Sequence, residues 1–162
     1  MLKKWLWLSV LVIALDQATK FLAETFLVMH QPVPVLPSFN LMLTYNTGAA
    51  FSFLAGAGGW QRWFFLGLGA VVSVGLIVWL GRLQAGEQRL AAALALILGG
   101  AVGNLIDRAW LGQVIDFIQL YYNHWYFPAF NVADSAITIG ATLLVLDSLW
   151  SRNANGLKNP AA

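Results

Sequence analysis

The sequence VIDFIQLYYNHWYFPAFNVAD, residues 114–134, decides how this chain must fold. It connects two long apolar segments and carries one acid near each end, Asp116 and Asp134. Each acid therefore lies beside a point where the chain is expected to enter lipid. Because ionisable groups are costly to place in a membrane, acids at such points mark a functional or tightly paired site.

The composition of the whole chain excludes an ordinary soluble domain. Of its 162 residues, 59% are hydrophobic and only 10% are charged, whereas soluble domains have about 25% charged residues. The mean hydropathy is +0.70. Many of the eight Trp, four Tyr and ten Phe lie near the ends of apolar runs, where amphipathic rings favour the headgroup layer. We therefore expect an integral membrane protein.

Charged and metal-binding residues narrow the class of function further. The nine Lys and Arg give a formal charge of +2 and form no basic stripe with interleaved aromatic residues, so we expect no nucleic acid partner. The absence of Cys removes disulfides, thiol catalysis and cysteine-ligated metal. The two histidines, His30 and His124, stand apart in connecting segments. We expect no metal and no other cofactor.

Four apolar runs are long enough to cross a bilayer, since about 20 helical residues span the hydrocarbon layer. They cover residues 5–28, 60–80, 90–109 and 133–150, with outer connections at 29–59 and 110–132. The first run follows a basic head like a signal peptide, but it continues without a convincing small-residue cleavage site. We predict an all-α integral membrane protein in which residues 1–162 form a single membrane domain with four transmembrane helices.

Basic residues predict the orientation of these helices. They lie before the first span, between the second and third, and after the fourth, at Lys3, Lys4, Arg82, Arg89, Arg152 and Lys158. By the positive-inside rule, the N- and C-termini are then cytoplasmic. Asp116 and Asp134 consequently face the outer side.

The outer connections carry signals of a small extracytoplasmic β-sheet. Apolar and polar residues alternate over 39–46, as in a half-buried strand, after a segment that Pro32, Pro34 and Pro37 break. Residues 114–122 are rich in β-branched and aromatic side chains and precede a turn at Asn123-His124, which predicts a second strand that pairs with the first. The short apolar run 49–54, bounded by glycines, predicts a short interfacial helix or flap.

Polar residues inside the predicted spans need partners. Asp16 and Lys20 are four residues apart on one helix, which favours an ion pair; positioning of a substrate is the alternative. Asn104, Asp107 and Arg108 lie together at the outer end of the third span. We expect Arg108 to pair with an acid and lock the bundle.

Two further patterns concern packing and capping. Small residues recur every fourth position of the third span, at Ala95, Gly99 and Gly103, which allows a neighbouring helix to approach closely. Asn131 is placed to cap the fourth helix, with Asp134 three positions later at its positive end. That explanation accounts for Asp134 but leaves Asp116 without a partner.

Two carboxylates that lie close together can hydrolyse a peptide bond. Like charges disfavour double ionisation, so the pair shares a proton; one group can activate water while the other donates a hydrogen bond to the scissile carbonyl. The alternative is a small membrane transporter or proton-relay subunit, which also uses intramembrane acids. Asp147, roughly 20 Å along the fourth helix from Asp134, is the one hint of such a relay. A non-enzymatic assembly factor would leave the two outer acids unexplained.

Five motifs in order resemble those of the bacterial lipoprotein signal peptidases, signal peptidase II. They are DQATK at 16–20, NTGAAF at 46–51, GGAVGNLIDR at 99–108, VIDF at 114–117 and FNVAD at 130–134. The resemblance extends from the first span to the fourth. Any one of these motifs is weak, but all five in the family's order on four spans are specific.

The resemblance implies an intramembrane aspartic endopeptidase of the bacterial inner membrane, a multi-pass protein whose active site is at the periplasmic side. Such an enzyme removes the signal peptide from prolipoproteins by cleaving before a diacylglyceryl-modified cysteine. Its expected partners are that substrate and membrane lipids, and we expect a monomer. The catalytic pair matches Asp116 and Asp134. Positions that bind substrate or shape the site match Asp16, Lys20, Asn46, Gly48, Asn104, Asp107, Arg108, Asn131 and Ala133.

Overall fold

The computed structural model describes residues 2–48, 56 and 58–156, with side chains up to residue 150. Its elements are α1 (Leu2–Phe26), β1 (Val33–Leu36), β2 (Phe39–Asn46), α2 (Trp60–Arg82), α3 (Gln88–Trp110), β3 (Val114–Tyr122), β4 (Trp125–Tyr126) and α4 (Val132–Gly156). Four helices are long and apolar enough to cross a membrane, as the sequence predicted. The predicted interfacial helix at 49–54 lies outside the described residues.

Helix α3 is the centre of the bundle and packs against α1, α2 and α4. Its inward face is fully buried at Ala91, Leu94 and Ala95. Helix α2 packs mainly on α3 and leaves large apolar side chains uncovered, including Trp63 at 70% and Val71 at 71% exposure. Exposed apolar residues of this kind are suited to face lipid.

The small residues of α3 let its neighbours approach closely, as the four-residue spacing predicted. A Cβ atom on Gly99 would lie 2.7 Å from the Val12 Cβ on α1, and one on Gly103 would lie 2.6 Å from the Asp16 Oδ2. On the adjacent face, a Cβ on Gly100 would collide with the backbone oxygen of Ala133 on α4. Larger residues would therefore push α1 and α4 away from α3 and separate the polar groups between them.

The strands form one antiparallel sheet in the order β1-β2-β3-β4. The pairing of β2 with β3 and the turn at Asn123-His124 confirm the sequence-based expectation. Strand β1 was not predicted, because the prolines around it suggested only a break. Pro34 is tolerated because β1 is an edge strand.

A β-bulge in β2 sets the register of the sheet beside the site. Leu41 pairs with Ile118 and Thr44 pairs with Asp116, so two residues of β2 lie opposite Phe117 alone. Bulges of this type bend a strand and redirect its side chains. On one face of the sheet, Leu43 and Phe117 pack with Ala23 of α1, so the sheet covers the end of the bundle at which α1 and α3 finish.

Candidate active site

Residues 114–134 fold back on themselves, which brings the two ends of this connection together. Phe130 forms a bridge with Ile118: its backbone N–H donates to the Ile118 carbonyl at 3.0 Å, and its carbonyl accepts from the Ile118 N–H at 2.8 Å. The next residue along the chain, Asn131, therefore lies beside β3, where its Nδ2 donates to the Ile115 carbonyl at 3.1 Å. Asp116 on β3 and the first turn of α4 consequently share one site.

Asn131 makes hydrogen bonds to both aspartates. Its Nδ2 donates to the Asp116 Oδ1 at 2.8 Å, and its backbone N–H donates to the Asp134 Oδ2 at 3.2 Å. Its Oδ1 accepts the backbone N–H of Asp134 at 2.9 Å. This reciprocal arrangement is a capping box, which confirms the predicted cap on α4. Asn131 is fully buried, so it fixes the two carboxylates relative to each other.

A buried ion cluster supports Asp134 from the helix side. The Lys20 Nζ lies 2.7 Å from the Asp16 Oδ2 and 2.7 Å from the Asp107 Oδ2, and it donates to the Asn104 Oδ1 at 3.0 Å. The Asn104 Nδ2 in turn donates to the Asp134 Oδ1 at 2.7 Å. The predicted Asp16–Lys20 pair is confirmed, and the cluster joins α1, α3 and α4.

The two acids of the cluster also bind backbone at the ends of the connection. The Asp16 Oδ1 accepts the Ala133 N–H at 2.9 Å, and the Asp107 Oδ2 accepts the Ile115 N–H at 3.3 Å. Ala133 is fully buried, and its backbone oxygen lies against Gly100 of α3. Each acid therefore holds the backbone directly next to one of the two aspartates.

A second set of contacts supports Asp116 from the sheet side. The Asn46 Nδ2 donates to the Asp116 Oδ2 at 3.3 Å, and the Asn46 Oδ1 accepts the Gly48 N–H at 2.9 Å. An Arg108 guanidinium N–H donates to the Gly48 carbonyl at 2.7 Å, and the guanidinium lies 5.1 Å from the centre of the Phe65 ring.

The expected pairing of Arg108 with an acid was wrong. In the described part of the chain, the salt bridges are those of Lys20 with Asp16 and Asp107. Arg108 instead donates to the backbone carbonyls of Gly48 and Asn104. A planar guanidinium with five donors is suited to hold several carbonyls at once, so Arg108 connects the end of α3 to the segment that follows β2.

The sequence-based reading missed two polar residues near the site. The Gln17 Nε2 donates to the Asp107 Oδ1 at 2.8 Å and to the Gly103 carbonyl at 3.2 Å. Arg62 donates to the last carbonyls of α3, at Arg108 and Ala109. The position of Arg62 was a usable signal, because a cation at the predicted outer end of a span runs against the positive-inside pattern and needs an internal partner.

The environment of Asp116 raises the pKa of its carboxyl into the neutral range, so that the protonated form persists there. Burial, helped by the negative charge of Asp134, raises the pKa of the Asp116 carboxyl to about 7. Hydrogen bonds from Asn46 and Asn131 and the charge of Lys20 act in the opposite direction on this pKa. A carboxyl of this kind can donate a proton at physiological pH.

A cleft of about 400 Å³ opens onto Asp116. Its lining combines residues of β2 and β3 and the adjoining Thr47 with the segment that runs from the end of β4: Met42, Thr44, Tyr45, Asn46, Thr47, Gln119, Tyr126, Phe127, Pro128 and Ala129. An extended peptide has unpaired backbone groups that need polar partners of this kind. The residues that the structure describes contain no group of three or more His, Asp or Glu placed to hold a metal ion.

The placement of the acids bears on the proton-relay alternative. Asp16, Asp107, Asp116 and Asp134 converge at the sheet end of the bundle, joined by Lys20, Asn104 and Asn131. A relay requires titratable groups spaced through the bilayer. This convergence favours a localised reaction centre.

Comparisons with known proteins agree with this geometry. A family model described as Signal peptidase (SPase) II matches residues 8–150. The lipoprotein signal peptidase of Pseudomonas aeruginosa strain PAO1 is 57% identical over 152 residues, which cover 93% of this chain and 90% of that protein. The lipoprotein signal peptidase of Pseudomonas syringae pv. tomato is 55% identical over 157 residues, covering 96% of this chain and 91% of that protein.

A solved structure gives the same result for the fold. The protein described as a bacterial membrane enzyme, determined by the in meso method at 2.3 Å resolution, matches with a TM-score of 0.84 and 29% identity, covering 99% of this chain and 94% of that one. A second structure with the same description, at 1.9 Å, has a TM-score of 0.78 and 30% identity over 91% of this chain and 93% of that one. Because the family match and the relatives span almost its whole length, the chain belongs to the signal peptidase II family of bacterial membrane peptidases.

Proposed function

We propose that this protein removes the signal peptide of prolipoproteins by cleaving before a cysteine that carries a diacylglyceryl group, with Asp116 and Asp134 as the catalytic pair. The observation that carries this proposal is the position of Asn131, which donates to both carboxylates. Two acids held by one buried residue, with Asp116 in the wall of a cleft, support peptide hydrolysis by a pair of carboxylates.

The chemistry follows from one shared proton. Two adjacent carboxylates resist double ionisation, so one is ionised and the other protonated. The ionised group takes a proton from water while the water oxygen attacks the scissile carbonyl carbon, and the protonated group donates to the carbonyl oxygen. Collapse of the tetrahedral intermediate breaks the C–N bond: the leaving cysteine amine takes the proton that the first carboxylate removed from water, and the re-forming carbonyl returns its proton to the other carboxylate. Atoms and charges balance with water as the only co-reactant.

The remaining residues of the motifs hold this pair or receive substrate. Asp16, Lys20, Asn104, Asp107 and Ala133 fix α4 and the start of β3 against the bundle. The polar wall of the cleft is suited to bind the unwound peptide around the scissile bond, since a helical peptide bond is shielded by its own turns.

The proposed setting is the bacterial inner membrane, with the active site on the periplasmic side. The distribution of Lys and Arg supports cytoplasmic termini, and the sheet and both aspartates lie at the opposite end of the helices. A substrate anchored by its signal helix and diacylglyceryl group would present its cleavage point at that depth. We further propose that the chain acts as one membrane domain, as a monomer among lipids.

The direct test is cleavage of a purified diacylglyceryl-modified prolipoprotein in detergent. We expect wild type to release the signal peptide, and Asp116→Asn and Asp134→Asn each to lose at least about 10³-fold in rate, because an amide can neither accept the proton of water nor donate one as an acid. Asp147→Asn, the same substitution further along α4, is the matched control and should cleave normally. Normal cleavage by either active-site variant would refute the pair.

The same assay tests the substrate class. An identical prolipoprotein without the diacylglyceryl group should be cleaved much more slowly, because the lipid anchors the cysteine at the depth of the aspartates. Equal rates on the two substrates would show that the enzyme acts on signal peptides without recognising the lipid.

A further inference from the structure

We propose that Lys20 is a positioning residue that decides which aspartate is ionised. Through the side-chain amide of Asn104, it holds Asp134 as the ionised member of the pair, so that Asp134 is the base that takes the proton from water and Asp116 is the acid. This inference deepens the proposed peptidase function and rests on it.

The contacts of Asn104 leave only one orientation for its amide. The Asn104 Oδ1 lies 3.0 Å from the Lys20 Nζ, and an ammonium group can only donate. The Nδ2 must then face the Asp134 Oδ1 at 2.7 Å. If the amide were reversed, its nitrogen would oppose the ammonium and its oxygen would oppose the carboxylate. Lys20 thus favours the orientation in which Asn104 donates to Asp134, together with the Asn131 Nδ2, which also donates to the Asn104 Oδ1 at 3.2 Å.

The orientation of the Asn131 side-chain amide is also determined, in this case by backbone groups. Its Oδ1 accepts the Asp134 N–H at 2.9 Å, which leaves its Nδ2 to face the Ile115 carbonyl at 3.1 Å. This Nδ2 group is shared among the Ile115 carbonyl, the Asn104 Oδ1 at 3.2 Å and the Asp116 Oδ1 at 2.8 Å. Asp116 therefore shares the Asn131 Nδ2 donor with two other acceptors.

The two aspartates consequently differ in how well their ionised forms are stabilised. Asp134 accepts from Asn104 at 2.7 Å and from the Asn131 backbone N–H, and it lies in the first turn of α4, where the helix dipole favours negative charge. Asp116 lies on a strand without such a dipole, and its second donor, the Asn46 Nδ2, is 3.3 Å away. The geometry therefore favours Asp134 as the carboxylate and Asp116 as the acid.

Charge alone could give the same preference, so the test must separate charge from hydrogen bonding. The charged groups around Asp134 are Asp16 and Lys20 on α1, Asp107 and Arg108 on α3, and Asp116 on β3. The double variant Lys20→Met with Asp107→Asn leaves the net charge of this set unchanged. It removes the Lys20 donor to Asn104 together with the Lys20–Asp16 ion pair, and the new amide oxygen can still accept the Ile115 N–H.

The experiment measures kcat and KM for a diacylglyceryl-modified prolipoprotein across pH, together with Tm, for the full-length enzyme. We expect the double variant to lose several-fold in kcat with little change in KM. The acidic limb of its kcat/KM profile should move up by about one pH unit, because a carboxylate that has lost a donor is protonated more readily. An acidic limb at the wild-type pH in the folded double variant would overturn the proposal.

Asn104→Ala keeps the ion cluster and removes the same donor from Asp134. It should move the acidic limb in the same direction, and combining it with the double variant should add no further movement, since both changes remove one hydrogen bond. If Asn104→Ala shifts the acidic limb of the kcat/KM profile and the double variant does not, Lys20 is excluded as the positioning residue. If the double variant does not fold, an unmoved limb in Asn104→Ala refutes the proposal.

Ser9→Ala is the control for a purely structural effect. The Ser9 hydroxyl donates to the Ala95 carbonyl at 2.8 Å in the same α1–α3 interface, about three turns from Lys20. This variant should lower Tm without shifting the acidic limb of the kcat/KM profile. An equal shift in Ser9→Ala would show that the acidic limb reports only on loosened helix packing. Asp116→Asn and Asp134→Asn are assayed in parallel: if either cleaves normally, the proposed function fails, whereas an unmoved limb beside two inactive variants refutes only the role of Lys20.

Discussion

The two aspartates of the site are held in different ways. Asp134 is held by helices: Asn104 donates to it, and Lys20 fixes Asn104 within a buried ion cluster. Asp116 is held by a strand and by Asn46, at the wall of an open cleft. We call Lys20, Asn104 and Asp134 the helix arm, and Asp116 with Asn46 the sheet arm. In the proposed mechanism, the helix arm keeps one carboxylate fixed while the sheet arm presents the other to the cleft.

Apart from substitutions of the two aspartates themselves, the largest effect should come from substituting Asn131, which joins the two arms. Asn131→Ala removes the donor to Asp116 and the cap on α4, and we expect a loss of about 10²–10³-fold in kcat/KM with a lower Tm. Asn131→Ser is the matched variant, because its hydroxyl can still cap the Asp134 N–H but is too short to reach Asp116. It should recover much of the Tm but little of the activity. Full activity in Asn131→Ser would show that the arms need no bridge.

A smaller effect is expected from weakening the sheet arm alone. Arg108→Met removes the donor to the Gly48 carbonyl and so loosens Asn46, which should reduce kcat/KM by about 10–100-fold. Arg62→Met is the control, since Arg62 donates to the backbone carbonyls of Arg108 and Ala109 at the end of α3, whereas the donor to the Gly48 carbonyl is the Arg108 side chain. It should lower Tm while kcat/KM stays within about twofold. Equal losses from the two variants would mean that Arg108 acts only through stability.

The pH dependence of cleavage reports on the sheet arm. The pKa of Asp116 is raised to about 7 by burial and by the charge of Asp134, and the proposed mechanism needs this group protonated. The rate should therefore be highest below this value and fall about tenfold per pH unit above it. A kcat/KM profile that stays flat up to pH 9 would contradict the assignment of Asp116 as the acid.

The smallest effect concerns stability. Because the pKa of Asp116 lies above its ordinary value, the ionised form opposes folding, and stability is lost as pH rises toward and through about 7. Asp116→Asn removes that charge, so it should raise Tm by roughly 2–4 °C at pH 8 and by less at pH 5. Thermal unfolding in detergent at both pH values measures this, and a lower Tm at pH 8 would contradict the burial argument.

The fold was predictable where the physical signal is local. Four apolar runs of membrane-spanning length, the alternation in β2 and the cap at Asn131 all lie within short stretches of sequence. Strand β1 was missed because proline suggests a break, and only its edge position explains why it is tolerated. The bulge opposite Phe117 was missed as well, because register depends on pairing between distant segments.

The residues of the site were predictable, but the hydrogen bonds that connect them were not. The motifs identified the residues, yet no pattern in the sequence shows that Lys20 reaches Asp134 through Asn104, or that Arg108 binds carbonyls instead of an acid. The Lys20–Asn104 contact joins residues 84 positions apart. Only the packing of α1, α3 and α4 brings them together.

The most direct test of the central claim compares Asp116→Asn, Asp134→Asn and the variant that carries both substitutions, by single-turnover cleavage of a diacylglyceryl-modified prolipoprotein. If the two carboxylates act as one unit, the double variant should be no slower than either single variant, because the first substitution already abolishes the shared function. Losses that multiply would contradict the account, since they would show that each aspartate contributes independently.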